Sequence, residues 1–569
     1  MNSSGSISYF LRKYPAVRVF LSVIIIFLIL FSVFLVNKKT KAVPQIISIV
    51  PSVGSPGDIV SIFGENFGAE RDMNYVEIAG SKLTANSYVS WTNACIKVEL
   101  PANVQNGLVV VGIKGMRSNP ALFANEVDIP VPVPLVQQVT KPVITFLSED
   151  KVNVGDVLVI SGNNFGDSKN QSKVLFTVDY NKNISSAEFK TAKLYSENMI
   201  GANEDDFDYL SWSNTEIKVV VPDGACTGAV IVDTGKEKSE PKELTVNSGA
   251  GYKTFDNKKI YLIEYSADIA DVVTNDVSTI TLRCPIPVTM VSQPNVEITE
   301  GSPQPIIQNY QNNLIHQISK NRNNTPKTVF TQTFVLPVYE VRTKVNADKI
   351  GTYTDINKNM LSKSTRPDAL VPSDNEAVVS LCNQIIKKEK NAWKKAKLLY
   401  NYLCENFEIT ATNTKNEANP LEMLEKKQGD AYDFAVIYTA LLRAAGIPAL
   451  TDAGVLVGAD MMTQPHWWCE FYIPKVGWIP CDPALGCGME YKKWADSGVE
   501  NERDFYFGNM DSHHITFSRG WSQLKPFAAE NKIVQQPRSF ALQSIWEEAN
   551  ESTAKYSSYW GNPIVKGVY

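Results

Sequence analysis

The sequence lacks two features that would point to common chemistries. Its formal net charge is −5, and outside the flanks of one apolar segment it has no block of lysine and arginine residues. The chain therefore lacks the clustered basic residues that binding to nucleic-acid phosphates requires. No Cys-x-x-Cys pair occurs, which argues against zinc ribbons and thioredoxin-type redox sites. We predict that the protein binds no nucleic acid and needs no metal or cofactor.

Cysteines are sparse, with eight in 569 residues, and this density is low for a disulfide scaffold. Cys481 and Cys487 are close enough in sequence to pair. We expect most of the other cysteines to be buried and to pack as small hydrophobic side chains.

Charge is absent from residues 19–36, an apolar run just long enough to cross a bilayer as a helix. The short tail before it and the large remainder after it favour a signal anchor, with the bulk of the protein extracytoplasmic and the bilayer as a partner. A cleaved signal peptide is the alternative, although a small-residue cleavage site is poorly formed after the run.

An internal repeat follows, because residues 46–68 are echoed by residues 144–166 and each copy later has a Tyr-x-Ser-Trp element, ending at Trp91 and Trp212. Short β-branched runs between Gly, Pro and Asn turn signals predict a β-sandwich in each copy. The pattern resembles the immunoglobulin-like IPT/TIG family. That resemblance implies a fold and leaves two roles open, a rigid spacer or a ligand-binding module.

Residues beyond about 255 predict an α+β domain. Strands are expected at 260–265 and 278–282, a long polar loop at 301–324, and helices from about Asp374, capped by Ser373 or Asp374, and at 392–403. A helical tail is expected at about 535–552. The predicted organisation is a tail (1–18), a transmembrane helix (19–36), two all-β sandwiches (44–130 and 141–247), an α+β domain (255–525) and a C-terminal tail (526–569).

The motif that bears most on function begins with Gly-Asp-Ala-Tyr-Asp-Phe-Ala at residues 429–435. An apolar helical stretch follows, and Gly446 and Pro448 provide its stop signal. Three strands are then predicted, at 449–457, 466–473 and 477–483. Because side chains alternate along a strand, one face of the second strand carries His466, Trp468, Glu470 and Tyr472.

This order of elements resembles the transglutaminase-like superfamily, a papain-like α+β fold. Its catalytic set is a cysteine at a helix start, then a histidine, then an aspartate. The resemblance assigns the histidine to His466, in a His-x-Trp-x-Glu context, and the aspartate to Asp482, before Pro483. The nucleophile position is occupied by Ala431. A methyl group cannot attack an acyl carbon, so the scaffold of a thiol acyl-transfer enzyme is present without its nucleophile.

We therefore hypothesise a non-catalytic, membrane-anchored envelope protein whose vestigial cleft binds a peptide, a glycan or a protein partner. Aromatic surface in that cleft would come from Trp467, Trp468 and Trp478, beside Asp430. One alternative is an active protease, amidase or acyl transferase that uses a relocated nucleophile. Another is a purely structural adhesion protein whose cleft is filled by side chains.

Relocated chemistry has few candidates in the sequence. Cys469 and Cys481 are expected to point away from His466 and Asp482, which leaves Cys487 as the least implausible substitute thiol. Asp430 or Asp433 could instead act with His466 in a hydrolytic or metal site. His513 and His514 are expected to be a solvated loop pair, because two adjacent imidazoles make no metal site without a third ligand.

Overall fold

The computed structural model of the chain describes residues 43–126, 140–180, 198–321, 326–353, 358–412, 419–495, 497–536 and 538–569, with scattered residues between 13 and 27. The chain divides into two compact units, Met1–Val133 and Pro134–Tyr569. The predicted transmembrane helix at 19–36 lies mostly outside the described residues. Within the described part, none of the helices has the length and apolar character that a bilayer crossing requires.

The first unit contains a two-sheet β-sandwich. Its strands are β1 (Gln45–Val50), β2 (Val53–Gly54), β3 (Ile59–Glu65), β4 (Tyr75–Ile78), β5 (Ser81–Lys82), β6 (Tyr88–Trp91), β7 (Cys95–Glu99), β8 (Gly107–Ile113), β9 (Met116–Arg117) and β10 (Ala121–Asn125). One sheet has the order β1-β3-β7-β6 and the other β2-β10-β8-β4-β5, with β9 on β8. Alternate residues of β3, including Val60 and Ile62, are buried between the sheets.

A second sandwich repeats this topology at the start of the second unit. Its strands are β11 (Val143–Leu147), β12 (Lys151–Val152), β13 (Val157–Asn163), β14 (Lys173–Thr177), β15 (Met199–Gly201), β16 (Tyr209–Trp212), β17 (Glu216–Val220), β18 (Gly228–Asp233) and β19 (Lys242–Val246). Its sheets have the orders β11-β13-β17-β16 and β12-β19-β18-β14-β15. The Trp91 indole donates to the Phe67 carbonyl at 2.9 Å, and Trp212 donates to Phe165 at 3.1 Å. The sequence repeat therefore encodes two copies of one fold.

The rest of the second unit is the α+β domain. Its strands are β20 (Gly251–Thr274), β21 (Ser278–Pro285), β22 (Glu297–Ser302), β23 (Asn313–Lys320), β24 (Thr328–Val345), β25 (Glu408–Ile409), β26 (Gln428–Gly429), β27 (Ala449–Val457), β28 (Thr463–Ile473), β29 (Gly477–Cys481), β30 (Asn509–Met510), β31 (His514–Arg519), β32 (Lys532–Val534), β33 (Glu547–Ala549), β34 (Thr553–Trp560) and β35 (Ile564–Val568). Its helices are α1 (Lys358–Thr365), α2 (Glu376–Ile386), α3 (Ala392–Asn406), α4 (Glu422–Lys426), α5 (Ala431–Ala444), α6 (Pro483–Gly486) and α7 (Glu502–Phe505).

Three larger sheets build this domain, and β25 and β26 form a further two-stranded sheet. The site strands form the order β29-β28-β27-β31, and α5 packs on β28 and β27. The long strands form β22-β24-β20-β34, with β30 on β24 and β35 on β20, and the third sheet is β23-β21-β33-β32. Nearly every residue of α5 is buried, which fits its apolar character on all sides. Gly446 has φ +77°, a left-handed conformation that suits glycine and ends the helix.

Several expectations for this domain are wrong. The polar stretch 301–324 contains β23, and α2 is capped by the Asn375 side chain instead of Ser373 or Asp374. The C-terminal tail is part of the domain, because β34 and β35 both pair with β20. Among the described residues of 535–552 the structure has β33 and no helix.

Candidate functional site

The site begins at the N-terminus of α5, where Ala431 is the first residue and is fully buried. Asp430 and Asp433 form a capping box around it. The Asp430 Oδ1 accepts from the Asp433 backbone N–H at 3.1 Å, and the Asp433 Oδ2 accepts from the Asp430 N–H at 3.2 Å. The Gly-Asp-Ala-Tyr-Asp sequence thus fixes the helix start and places the Ala431 methyl group at the position that the family resemblance assigns to a nucleophile.

Arg538 covers this helix start. Its Nη1 donates to Asp430 Oδ2 at 3.0 Å, its Nη2 donates to Asp433 Oδ1 at 2.7 Å, and its guanidinium lies 4.3 Å from the Tyr432 ring centroid. Burial, reinforced by the charge of Asp430 and opposed by Arg538, raises the pKa of Asp433 to about 6. Sequence reasoning missed Arg538, because it lies more than 100 residues away in the presumed tail.

His466 and Asp482 are brought together as the sequence predicted. His466 Nε2 lies 2.5 Å from Asp482 Oδ2, and both side chains are buried. The other oxygen, Asp482 Oδ1, accepts from the Leu485 N–H at 2.9 Å and caps α6. Because a carboxylate only accepts, the His466 proton sits on Nε2, and Nδ1 is the nitrogen that could assist a nucleophile.

His514 extends the pair, and the expected solvated loop pair is wrong. Its Nε2 lies 3.1 Å from Asp482 Oδ2 and its Nδ1 lies 2.7 Å from Asp511 Oδ1. A ring with carboxylate oxygens at both nitrogens must donate from both, so His514 is an imidazolium. Burial opposes that charge, but Asp511 and the hydrogen bonds to both carboxylates outweigh it and raise the pKa of His514 to about 9. His513 is also buried, with its ring stacked on Trp494.

Both carboxylates of this network are held in the charged form. Burial favours the neutral acid, but the charges and hydrogen bonds of His466 and His514 outweigh it and hold the pKa of Asp482 well below its usual range. The pKa of Asp511 is likewise lowered against its burial, chiefly by His514. Tyr506 adds a hydrogen bond of 2.8 Å to Asp511 Oδ2. The result is a continuous buried chain of acids and imidazoles.

The start of α5 lies beside the histidine strand. The Tyr432 ring packs edge-on against Trp467 with centroids 5.5 Å apart, and these residues directly follow Ala431 and His466. Further along, the Thr439 and Thr451 hydroxyls lie 3.0 Å apart, which places α5 on the Trp467 face of the sheet.

Comparisons with known proteins agree with this geometry. Residues 379–483 match the profile of the Transglutaminase-like superfamily, and residues 44–124 match that of the IPT/TIG domain. The second unit carries a transglutaminase-like domain. The assignment of the second sandwich to the same fold as the first depends on its matching strand order.

Two curated relatives share 26% identity with parts of the chain. An uncharacterised protein of Haemophilus influenzae aligns over 163 residues, 24% of this chain and 44% of its own length. The uncharacterised YebA of Bacillus subtilis aligns over 182 residues, 28% of this chain and 23% of its own. The chain thus spans less than half the length of either relative. The periplasmic domain of TgpA from Pseudomonas aeruginosa matches with TM-score 0.25 and 12% identity, over 40% of this chain and 86% of that domain, a likeness that supports no further conclusion.

All eight cysteines lie in the described parts of the sandwiches and the transglutaminase-like domain, and none of them is at the start of α5. Cys469 and Cys481 are register partners on the α5 face of the sheet, and the Cys469 thiol donates to the Cys481 carbonyl. Burial raises the pKa of Cys469 well above its ordinary value. Cys487 forms a disulfide with Cys404, so it is not paired with Cys481 and carries no free thiol. The other free cysteines lie in the sandwiches, in β21 and in α2.

The tryptophans expected to line an open cleft are instead packed in the interior. Trp467, Trp468 and Trp478 are 0%, 3% and 3% exposed. Trp468 packs against His466 and His514, and Trp478 packs between Tyr472 and Arg519. A cavity of about 30 Å³ borders Trp468, Asp511 and His514, which is room for a water molecule and not for a peptide or a sugar.

Proposed function

We propose that this protein is a non-catalytic, membrane-anchored component of the cell envelope, in which the transglutaminase-like domain follows the two sandwiches in the chain and is a scaffold or binding module. The observation that carries the proposal is Ala431 at the start of α5, the position that the family resemblance assigns to the nucleophile, in a domain that has the His466–Asp482 pair. An acyl-transfer reaction at this position requires a nucleophilic side chain, and a methyl group supplies none.

The alternative of a relocated thiol finds no support in the geometry. Cys469 is buried, neutral and on the other face of the sheet from His466, and Cys487 is in a disulfide. Asp430 and Asp433, the other residues considered, are both engaged by Arg538 and by the capping of α5.

Extracytoplasmic location is supported by two independent features. The apolar run at residues 19–36 precedes the whole globular part of this sequence. The Cys404–Cys487 disulfide is of a kind that persists in oxidising compartments and is rare in the cytosol.

The filled cleft favours a protein partner over a peptide or glycan ligand. The three tryptophans are buried, so a peptide or oligosaccharide cannot stack on them as the predicted cleft required. A folded partner can bind outer surfaces of the domains. The same observation favours the structural adhesion protein as the second candidate, since that role also requires no open cleft.

Restoring the nucleophile tests the proposal. We expect iodoacetamide to alkylate the new thiol of the Ala431→Cys variant, and we expect the additional change His466→Ala to reduce that alkylation. In the protein with Ala431, His466→Ala should leave the labelling of the cysteines unchanged. Labelling of a wild-type cysteine that requires His466, followed by turnover of an amide substrate, would overturn the proposal. Cross-linking of the full chain in its membrane then identifies whether a protein partner is present.

A further inference from the structure

Three buried side chains converge on one point of the transglutaminase-like domain. His466, Asp482 and His514 each place one ligand-capable atom within 4.8 Å of the others. Both histidines direct Nε2 at the same oxygen, Asp482 Oδ2, at 2.5 Å and 3.1 Å. All three side chains are at most 2% exposed. Two imidazoles and a carboxylate on one point form a ligand set that first-row transition metals favour.

The surroundings of these three groups orient them as a metal site requires. His514 directs its second nitrogen, Nδ1, to Asp511 Oδ1 at 2.7 Å. Asp511 is itself fixed by the Tyr506 hydroxyl at 2.8 Å and the His513 N–H at 2.9 Å. A carboxylate behind a ligating histidine is the usual outer partner of zinc-bound imidazole. Asp482 Oδ1 is occupied by the Leu485 N–H, so Asp482 offers one oxygen, Oδ2.

We propose that His466 Nε2, Asp482 Oδ2 and His514 Nε2 bind a single Zn²⁺ ion. The ion takes the place of the protons that now lie between the imidazoles and the carboxylate, and those protons pass to solvent. For bonds of about 2.0–2.1 Å in tetrahedral geometry, adjacent ligand atoms lie about 3.3 Å apart. The separation of 3.1 Å at His514 is close to this value, and the 2.5 Å separation at His466 has to widen by roughly 0.8 Å.

A water molecule has space beside His514, one of the three proposed ligands. The cavity of about 30 Å³ that borders His514 and Asp511 can hold a water molecule. Calcium and magnesium prefer sites made of oxygen ligands only, so a site with two imidazoles discriminates against them. The proposal goes beyond the proposed function and does not depend on it, because zinc binding can fail while the chain remains non-catalytic, and the reverse.

The four histidines of the chain permit a matched experiment, since two are in the site and two, His316 and His513, are outside it. The full chain, freed of metal with EDTA, is titrated with ZnCl₂ in a calorimeter, and bound metal is counted by mass spectrometry. We expect one Zn²⁺ per chain. His466→Gln and His514→Gln should each weaken binding more than 100-fold, and Asp511→Asn should weaken it about 10–100-fold. His316→Gln, which lies away from the site, is the matched control and should leave it unchanged.

Cobalt substitution of the wild-type chain tests the ligand set without a variant. We expect the visible absorption of a four-coordinate Co²⁺ site without the intense near-ultraviolet band of thiolate ligation. Failure of the wild-type chain to bind Zn²⁺ would overturn the proposal. It would also be overturned by equal Zn²⁺ affinity in the His466 and His514 variants, by a thiolate band, or by displacement of Zn²⁺ with equimolar Ca²⁺. Circular dichroism confirms that each variant used is folded.

Discussion

Replacing Arg538 with methionine should destabilise the transglutaminase-like domain strongly. The side chain links β-rich sequence near the C-terminus to the start of α5 through Asp430 and Asp433, and the Arg538 and Asp430 side chains are 2% and 1% exposed. Methionine keeps an unbranched apolar stem beside Tyr432 but leaves two carboxylates without their cation. Removing one partner of a buried ion pair costs about 3–5 kcal/mol, because the remaining charge stays desolvated.

The size of the decrease in stability distinguishes the buried ion pairs of Arg538 with Asp430 and Asp433, here called the Arg538 clamp, from an exposed ion pair. A loss of 3 kcal/mol corresponds to a Tm decrease of roughly 4–5 °C for a domain of about 300 residues. Calorimetry is the appropriate assay, because a chain with several cores need not unfold in one step. Arg503→Met is the control, since Arg503 and Glu405 form an exposed pair that should contribute less than about 1 kcal/mol.

A double variant shows whether the decrease in stability comes from a buried carboxylate that Arg538 no longer neutralises. Asp430→Asn removes one of the two charges, and an asparagine can still cap the helix. Arg538→Met with Asp430→Asn should therefore recover about 0.5–3 kcal/mol relative to Arg538→Met alone. If Arg538→Met lowers Tm no more than Arg503→Met does, the clamp contributes little and the reasoning is refuted.

Three further predictions concern charge and covalent structure. The raised pKa of His514, about 9, should give a stability contribution that is complete below pH 6.5 and lost as pH rises through 9. The His514→Gln variant should therefore show a smaller change in the free energy of unfolding between these pH values. An unchanged dependence on pH would contradict the prediction. The raised pKa of Asp433, about 6, should give a contribution to the free energy of unfolding that is present below pH 3.8 and lost as pH rises through 6. Urea titrations of the Asp433→Asn variant should lack this dependence on pH. Reduction of Cys404–Cys487, which are 83 residues apart, should lower stability by about 4.5 kcal/mol, and equal Tm values with and without dithiothreitol would argue against it.

The arrangement of Ala431, His466 and Asp482 was largely predictable from sequence because its signals are local. Ala431 lies between a capping pair and an apolar helix, and the face that carries His466 follows from strand alternation. The pairing of His466 with Asp482 needed only the order of two adjacent strands.

His514 and Arg538 could not be predicted in the same way. Each reaches the site from a distant segment, β31 or the region after β32, and neither lies in a local pattern that points to the site. The burial of Trp468 was missed for a related reason. Alternation assigns a side chain to a face, but it does not show that the long β20–β24 sheet covers that face.

The helical expectation near residue 547 failed because tertiary contacts override local propensity. Glu547 and Glu548 are good helix formers, yet both are fully buried in β33. Glu548 pairs with Arg283 at 2.7 Å, and Glu547 accepts from the Trp560 indole at 2.6 Å. These partners come from β21 and β34, so a prediction made from the residues around 547 does not include them.

Turnover of an activated amide or ester substrate by the purified full chain, compared with its His466→Ala variant, tests the absence of a nucleophile most directly. Without a thiol beside His466, both proteins should give the same background rate, while Ala431→Cys shows whether the remaining site can be reactivated. A wild-type rate well above background that His466→Ala abolishes would contradict the account, because it would require a nucleophile that works with this imidazole.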